Sequence, residues 1–174
     1  MRIVAGAARG RRLVAPEGTA TRPTSDRVRE ATFNALTSLG AVGGATVIDL
    51  YAGSGAMGLE ALSRGASSAI FVDADARAVA AVRANVATTG FADRAEVVRS
   101  DVLRFLAGDP AGVDLAILDP PYALADEGWS SLLTALVAEV AVLESDRELA
   151  LQAGWDVLRV RRYGTTVITL AARR

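Results

Sequence analysis

The chain has 174 residues, with 19 arginines, 20 acidic residues and neither cysteine nor histidine. This length predicts one domain, and the lack of cysteine excludes disulfides, thiolate metal sites and a cysteine nucleophile. Because histidine is also absent, any chemistry must use carboxylates, tyrosine, arginine or backbone groups. No apolar run approaches the ~18 residues of a membrane span, and the first ten residues lack the apolar stretch of a signal peptide. We therefore expect a cytoplasmic protein that uses neither a membrane nor a metal.

The N-terminal segment is basic, although the whole chain is nearly neutral. Residues 1–30 carry seven arginines and three acids, a net charge of +4, and the remainder carries 12 arginines and 17 acids, a net charge of −5. This separation is expected of a protein that binds phosphates, although a solvated arginine-rich terminus has the same composition. The candidate phosphate ligands are Arg2, Arg9, Arg11, Arg12, Arg27 and Arg29.

The first predicted elements are a short hairpin and a helix. Residues 2–5 and 12–15 favour two strands that turn through residues 8–10. A helix is then predicted from Ser25 to about Leu39, capped by Thr24 or Ser25. Residues at helical spacing form its predicted buried face: Val28, Ala31, Thr32, Ala35, Leu36 and Leu39. The residues that fall mostly away from this face are Arg27, Arg29, Glu30 and Asn34.

From residue 45 the pattern changes to alternating strands and helices. Apolar runs predict strands at about 46–51, 69–73, 95–99, 113–118, 139–144, 157–163 and 165–171. Helices are predicted near 57–64, 76–89, 102–107 and 128–138. Repeated βαβ units imply an α/β fold whose mostly parallel, seven-stranded sheet has helices on both faces. The last two strands, around Gly164, are predicted to form an antiparallel hairpin. Glu144, after the fifth apolar run, is expected to be a solvated strand end.

A glycine-rich loop follows the first strand of this series. Gly53, Gly55 and Gly58 satisfy G-x-G-x-x-G between a strand and a helix, and such loops let the backbone approach a ligand closely. Asp73 ends the next strand about 20 residues on, where an acid binds ribose hydroxyls. Asp49 stands inside the turn, where an anion repels phosphate and attracts a cationic amino acid group. This favours S-adenosylmethionine over NAD as the cofactor.

Further residues complete the predicted cofactor site. Asp101 follows the third strand and is well placed for an adenine amino group. Asp75 can share the ribose role of Asp73, and the sequence does not separate the two. Tyr51 is either a core residue or a wall of this site. The candidate cofactor contacts here are Asp49, Tyr51, Ala52, Gly53, Ser54, Gly55, Gly58, Asp73, Ala74, Asp101 and Val102.

The tetrapeptide Asp119-Pro120-Pro121-Tyr122 follows a predicted buried strand. It therefore lies at the carboxyl end of that strand, where binding crevices open in parallel α/β sheets. The prolines end the strand and fix the backbone. The Asp119 carboxylate and the Pro120 carbonyl can accept the two hydrogens of an exocyclic amine, and the Tyr122 ring can stack on a flat base. These four residues are the predicted catalytic motif, which does not by itself choose between guanine, adenine and cytosine.

The glycine-rich loop and the Asp119–Tyr122 tetrapeptide, in this order along the chain, resemble the two motifs of an S-adenosylmethionine-dependent amino-methyltransferase. The wider pattern is more specific. It includes R-I-V-A-G-x-x-x-G-R-x-L from Arg2, the segment from Arg22 to Leu36 and the loop from Asp49 to Ala66. Together these segments resemble the bacterial 16S rRNA guanine-N2 methyltransferases.

This resemblance implies a Rossmann-like class I methyltransferase that modifies one guanine of 16S rRNA, needs no metal and acts as a monomer on the small ribosomal subunit. It implies an RNA-binding arm over residues 1–24 and an S-adenosylmethionine-binding catalytic domain over residues 25–174. It also places Arg22 and Thr24 beside the cofactor and the target pocket.

Two alternatives remain open at this point. The first is an adenine-N6 methyltransferase of DNA or RNA, because such enzymes use the same tetrapeptide. Sequence-specific DNA enzymes usually carry a separate recognition domain, and only 52 residues follow Tyr122. The second is a non-catalytic module that grips RNA through the arm. A cytosine-C5 methyltransferase is excluded, because attack at C6 of the ring needs a cysteine.

Overall fold

The computed structural model describes residues 1–18, 25–108, 112–152 and 154–174. Within these residues the strands are β1 (Thr46–Leu50), β2 (Ser68–Asp73), β3 (Ala95–Arg99), β4 (Val113–Leu118), β5 (Ala138–Ser145), β6 (Trp155–Tyr163) and β7 (Thr166–Arg173). The helices are α1 (Asp26–Ser38), α2 (Ala56–Ser63), α3 (Ala76–Thr89), α4 (Val102–Ala107) and α5 (Asp126–Ala135). All of these elements were predicted, with ends that differ by three residues or fewer. The candidate cofactor ligands Arg22 and Thr24 lie outside the described residues.

The seven strands form one sheet with the order β3-β2-β1-β4-β5-β7-β6. Strands β1 to β5 pair in parallel, whereas β7 is antiparallel to both β5 and β6. This confirms the predicted α/β fold and its C-terminal antiparallel hairpin. The direction of winding reverses between β1 and β4, and ligands bind at such a switch point, outside the carboxyl ends of the strands. The glycine loop follows β1 and the tetrapeptide follows β4, so both motifs lie at this crevice.

Each face of the sheet has its own apolar core. On the first face, Val47 of β1 and Val142 of β5 pack with residues of the N-terminal arm, α1, α2 and α3. We call this the arm-side face. On the opposite face, Ile48 and Leu143 pack with α4 and α5. Burial on both faces explains why these strands read as continuous apolar runs. Among the described residues, no helix is both long and apolar enough to cross a membrane.

The described part of the N-terminal arm, residues 1–18, is a loop anchored on α2. The predicted hairpin is reduced to a single antiparallel bridge between Arg2 and Arg12. The backbone N–H groups of Val4 and Ala5 donate hydrogen bonds of 2.8 and 3.0 Å to the Glu60 carboxylate. Glu60 is fully buried, so this contact fixes the arm against the domain.

Two expectations for α1 were wrong. Arg29, expected to lie away from the core and to bind RNA, is fully buried. Its guanidinium donates to Asp26 at 2.8 Å, binds the Arg2 carbonyl and pairs with Glu60 at 3.5 Å. A guanidinium held in this way fixes the arm and does not face a ligand. Leu39, expected in the core, is 50% exposed because the helix ends before it.

Candidate active site at the carboxyl edge of the sheet

Asp49 lies near the end of β1, below the glycine loop. Its side chain is only 2% exposed, and its Oδ2 accepts a 2.9 Å hydrogen bond from the Gly58 N–H. Burial raises the pKa of Asp49 to about 7; the Gly58 bond opposes this rise and the charge of Asp73 adds to it. A cationic ligand group would relieve the cost of ionising this buried carboxyl.

Gly58 makes this contact possible, and its replacement gives a testable prediction. A Cβ at position 58 would lie 2.4 Å from Cε1 of Phe71, a ring that is only 1% exposed, and 3.1 Å from Oδ2 of Asp49. We expect Gly58→Ala to lower the free energy of unfolding by roughly 1–3 kcal/mol through overpacking and to weaken cofactor binding. Thermal denaturation and calorimetric titration with S-adenosylmethionine measure the two effects. Gly43→Ala is the matched control, because a Cβ there meets open space; an equal loss in the control would contradict the explanation.

Asp73 shapes the glycine loop. Its two carboxylate oxygens accept 2.9 Å hydrogen bonds from the N–H groups of Gly53 and Asp75. Asp75 instead caps α3 and pairs with the Arg77 guanidinium at 2.7 Å, and the hydrogen bonds from Arg77 lower the pKa of Asp75 to about 2. Of the two acids that the sequence left open, Asp73 is therefore the one joined to the glycine loop. Each of its oxygens retains a second lone pair for a hydroxyl group.

Tyr51 and Asp101 lie near each other. Tyr51 has a φ of +60°, and it is the one non-glycine residue of the described ranges with a positive φ. Burial raises the pKa of the Tyr51 hydroxyl, and the nearby charge of Asp101 adds to this rise. Asp101 caps α4 by accepting a 2.9 Å hydrogen bond from the Arg104 N–H, while its side chain stays at the surface. The structure thus brings these two predicted residues together.

Asp119 extends β4 beside the end of β1. Its N–H donates to the Leu50 carbonyl at 3.4 Å. Residues two apart on a strand share a face, so Asp119 points to the same side as Ile117, which is opposite Asp49 in the register. Burial raises the pKa of Asp119 well above its ordinary value, and the charges of Glu144 and Asp49 raise it further. Three carboxyl groups from β1, β4 and β5 therefore face one another at this edge.

The rest of the tetrapeptide forms a tight turn with an exposed aromatic ring. The Pro121 carbonyl accepts a 2.8 Å hydrogen bond from the Leu124 N–H, which closes the turn. Tyr122 is 41% exposed, and its hydroxyl lies 2.9 Å from the Thr166 Oγ1 at the start of β7. The ring is thus attached to the C-terminal hairpin at the rim of the crevice.

Three residues near the site were not assigned to it from the sequence. Glu144, which we expected to be a solvated strand end, is only 5% exposed. Thr166 holds Tyr122. Asn85 of α3 accepts a 2.9 Å bond from the Val14 N–H and donates a 2.8 Å bond to the Ser54 carbonyl, which ties the arm to the glycine loop. Asn85 could have been noticed in the sequence, because it is a polar residue on the apolar face of a helix.

The strand order, the glycine loop after β1 and the tetrapeptide after β4 define a Rossmann-like class I methyltransferase. The model of the family described as Conserved hypothetical protein 95 matches residues 1–172, and the chain belongs to this family. A relative in Escherichia coli (strain K12), the Ribosomal RNA small subunit methyltransferase D, is 34% identical over 188 residues, which cover 99% of this chain and 90% of the relative. This confirms the predicted relationship to the bacterial small-subunit ribosomal RNA methyltransferases.

Solved structures give the same fold. A hypothetical protein of Thermus thermophilus matches with a TM-score of 0.83 and 34% identity, and the match covers 98% of each chain. The magnesium protoporphyrin IX methyltransferase of Synechocystis PCC 6803, solved with bound S-adenosylmethionine, matches with a TM-score of 0.70 over 85% of this chain and 79% of that one. At 17% identity, this second likeness shows the fold alone.

Proposed function

We propose that the protein transfers a methyl group from S-adenosylmethionine to the N2 amine of one guanine in 16S rRNA, as a monomer acting on the assembled small ribosomal subunit. The observation that carries this proposal is the place of Asp119 beside the glycine loop. The end-to-end relationship to a methyltransferase named for small-subunit ribosomal RNA supports the substrate class. The choice of guanine comes from the resemblance of the sequence motifs.

The residues around the glycine loop fit S-adenosylmethionine. Asp49 offers a buried anion to its ammonium group, and Gly58 leaves room beside that anion. Asp73 and Asp101 offer carboxylate acceptors to ribose hydroxyls and an adenine amino group. When bound, the cofactor supplies an electrophilic methyl group on a sulfonium. The buried acid near the end of β1, below the glycine loop, disfavours the pyrophosphate of a dinucleotide, because like charges repel.

Asp119 and Pro120 act on the amine. The N2 lone pair of guanine is delocalised into the ring, and accepting both amine hydrogens favours a pyramidal nitrogen whose lone pair is available. We assign the second acceptor to the Pro120 carbonyl, because the Pro121 carbonyl already accepts the Leu124 N–H. As the nitrogen–carbon bond forms and the carbon–sulfur bond breaks, positive charge develops on the nitrogen, so the Asp119 carboxylate stabilises the transition state more than the ground state. The methylated amine is acidic and loses one proton, which passes to the Asp119 carboxylate and then to solvent. Tyr122 stacks on the base once the base has left its own stack.

The arm supplies phosphate contacts. Arg2, Arg9, Arg11 and Arg12 are all exposed, as is Arg27 on α1. Arginines of this kind give affinity without sequence information. The arm is fixed to α2 through Glu60 and to the glycine loop through Asn85. A phosphate bound by the arm is therefore held at a defined position relative to the cofactor site.

This role of the arm predicts a specific salt effect. Arg9→Ala or Arg12→Ala should weaken binding to small ribosomal subunits and reduce the slope of log K against log salt by about 1, because one phosphate contact is lost. Affinity for S-adenosylmethionine should not change. Binding measured over a range of salt concentrations tests this, with Arg83→Ala, an exposed arginine of α3, as the control. Equal losses of affinity for the subunit and for the cofactor would contradict a role of the arm in RNA binding.

The experiment that tests the function is transfer of radiolabelled methyl from S-adenosylmethionine. The acceptors are small subunits that lack the modification, free 16S rRNA and duplex DNA, and the products are hydrolysed to nucleosides. We expect label in N2-methylguanosine from the assembled subunit. Label in N6-methyladenosine or in DNA would show that the protein is a methyltransferase but that the proposed substrate is wrong. Cofactor binding without label in any acceptor would favour a non-catalytic RNA-binding module.

A further inference from the structure

Glu144 on β5 shares the crevice with the tetrapeptide. Leu118 of β4 is opposite Leu143 of β5, so the next residues along the two parallel strands, Asp119 and Glu144, lie at the same level. Glu144 is two residues from Val142 and Asp119 is two residues from Ile117, and both apolar residues belong to the arm-side core. The two carboxyl groups therefore point to the same face, from neighbouring strands.

Glu144 also acts electrostatically on the tetrapeptide. Its charge contributes to raising the pKa of Asp119, after burial, and it also contributes to raising the pKa of the Tyr122 hydroxyl. The side chain is only 5% exposed and lies level with Asp119 on the neighbouring strand. Two carboxyl groups placed side by side suit a ligand that presents several N–H donors side by side.

The Watson–Crick edge of guanine is such a ligand. It carries the N1–H donor directly beside the N2 amine, whereas N1 of adenine is an acceptor. If Asp119 and Pro120 accept the amine hydrogens, the neighbouring N1–H points along the same edge and needs an acceptor of its own. A carboxylate one strand away from Asp119 provides that acceptor, and it would repel a ring whose N1 has a lone pair.

We propose that Glu144 is the residue that selects guanine, by accepting the N1–H of the base whose N2 amine is bound by Asp119. This inference rests on the proposed function. A site built to bind a donor rejects an analogue that lacks it more strongly than an apolar site does, because its own polar group is left without a partner. The tetrapeptide alone does not discriminate between guanine, adenine and cytosine, and Glu144 provides this discrimination.

The test uses 2-aminopurine, which has the amine of guanine but an unprotonated N1. The guanine that the wild-type protein methylates is first mapped, and small subunits are then reconstituted with 16S rRNA carrying guanine or 2-aminopurine at that position. We expect the wild-type kcat/KM to favour guanine by roughly 10- to 100-fold, the range for a hydrogen bond to a charged group. Glu144→Gln has an amide N–H that can donate to an unprotonated N1, so the preference should fall by roughly tenfold or more.

Glu139→Gln is the matched control. It changes the same residue type on the same strand, but Glu139 is exposed and lies near the amino end of β5, at the opposite edge of the sheet. This variant should keep the wild-type preference. A Glu144→Gln variant that slows both acceptors equally would show a structural role and overturn the inference.

Two outcomes in the wild-type protein are decisive without any variant. Equal rates on guanine and 2-aminopurine would overturn the role of Glu144 while leaving the proposed function intact. Absence of N2-methylguanosine from the unmodified guanine substrate would instead overturn the proposed function, and the inference with it. The two failures are therefore distinguishable even if Glu144→Gln does not fold.

Discussion

Asp119→Ala is expected to lower the kcat of methyl transfer by about 10²–10³-fold, the typical effect of removing one group that stabilises transition-state charge. Asp119 lies beside the end of β1. In the proposed mechanism its carboxylate accepts a hydrogen bond from the N2 amine of guanine. Affinity for S-adenosylmethionine should stay close to the wild-type value, because Asp49 and Asp73 hold the cofactor in this account. Single-turnover transfer to small subunits and calorimetric titration with the cofactor measure the two quantities separately.

Asp119→Asn is the matched variant for this prediction. Its amide oxygen still accepts one hydrogen but carries no charge, so its kcat should lie between those of the wild-type protein and Asp119→Ala. Burial and two neighbouring acids raise the pKa of Asp119, so ionisation above that pKa destabilises the fold. Neither variant should therefore melt below the wild-type protein at a pH at which Asp119 is ionised. A large drop in Tm or in cofactor affinity would show that Asp119 supports the structure instead.

The fold was largely predictable because its central strands have two apolar faces. Runs such as Val113–Leu118 are buried on both sides, so they stand out from the amphipathic helices between them. Glycines and prolines mark most of the boundaries. The hairpin at residues 2–15 was less predictable: its shape depends on the Glu60 carboxylate, which lies 55 residues away or more in the sequence.

The errors at Arg29 and Glu144 have a common cause. Both are charged residues whose burial is decided by parts of the chain that are distant in the sequence, and local periodicity carries no record of such neighbours. Arg29 is buried because Asp26, Arg2 and Glu60 surround its guanidinium. In the sequence Glu144 comes at the end of an apolar run, which suggests a solvated end, but it lies within β5 and the sheet order brings it level with Asp119.

The tetrapeptide and the glycine loop could be recognised from the sequence because each is a contiguous motif. Their neighbours could not, since β4 pairs with β1 and β7 pairs with β5 across long separations in the sequence. Thr166 is 44 residues from Tyr122, and a threonine in a terminal strand has no local feature that marks it as a partner. Contiguous motifs reveal the chemistry of a site, whereas the sheet topology decides which further residues surround it.

The second large expected effect is a pH dependence of cofactor binding, which results from the titration of Asp49. Its pKa is raised to about 7 in the folded protein, so the carboxyl is largely protonated at pH 5.5 and largely ionised at pH 8. Only the ionised form attracts the ammonium group of S-adenosylmethionine. The Kd should therefore be roughly 10- to 30-fold higher at pH 5.5 than at pH 7.5, since each unit of pH below the pKa costs up to tenfold. Isothermal titration calorimetry across this range measures it.

The cofactor-free protein should show the opposite trend in stability. A carboxyl whose pKa is higher in the folded than in the unfolded state binds more protons when folded, so the free energy of unfolding falls as the pH rises from about 4 to about 7. The upper limit of this loss is about 4 kcal/mol, and bound S-adenosylmethionine should reduce it by pairing with the carboxylate. Asp49→Asn should bind the cofactor weakly at every pH and lose most of both trends, whereas the exposed Asp93→Asn should retain them. If Asp49→Asn kept the wild-type pH dependence, the cationic group of the cofactor would have to be held elsewhere.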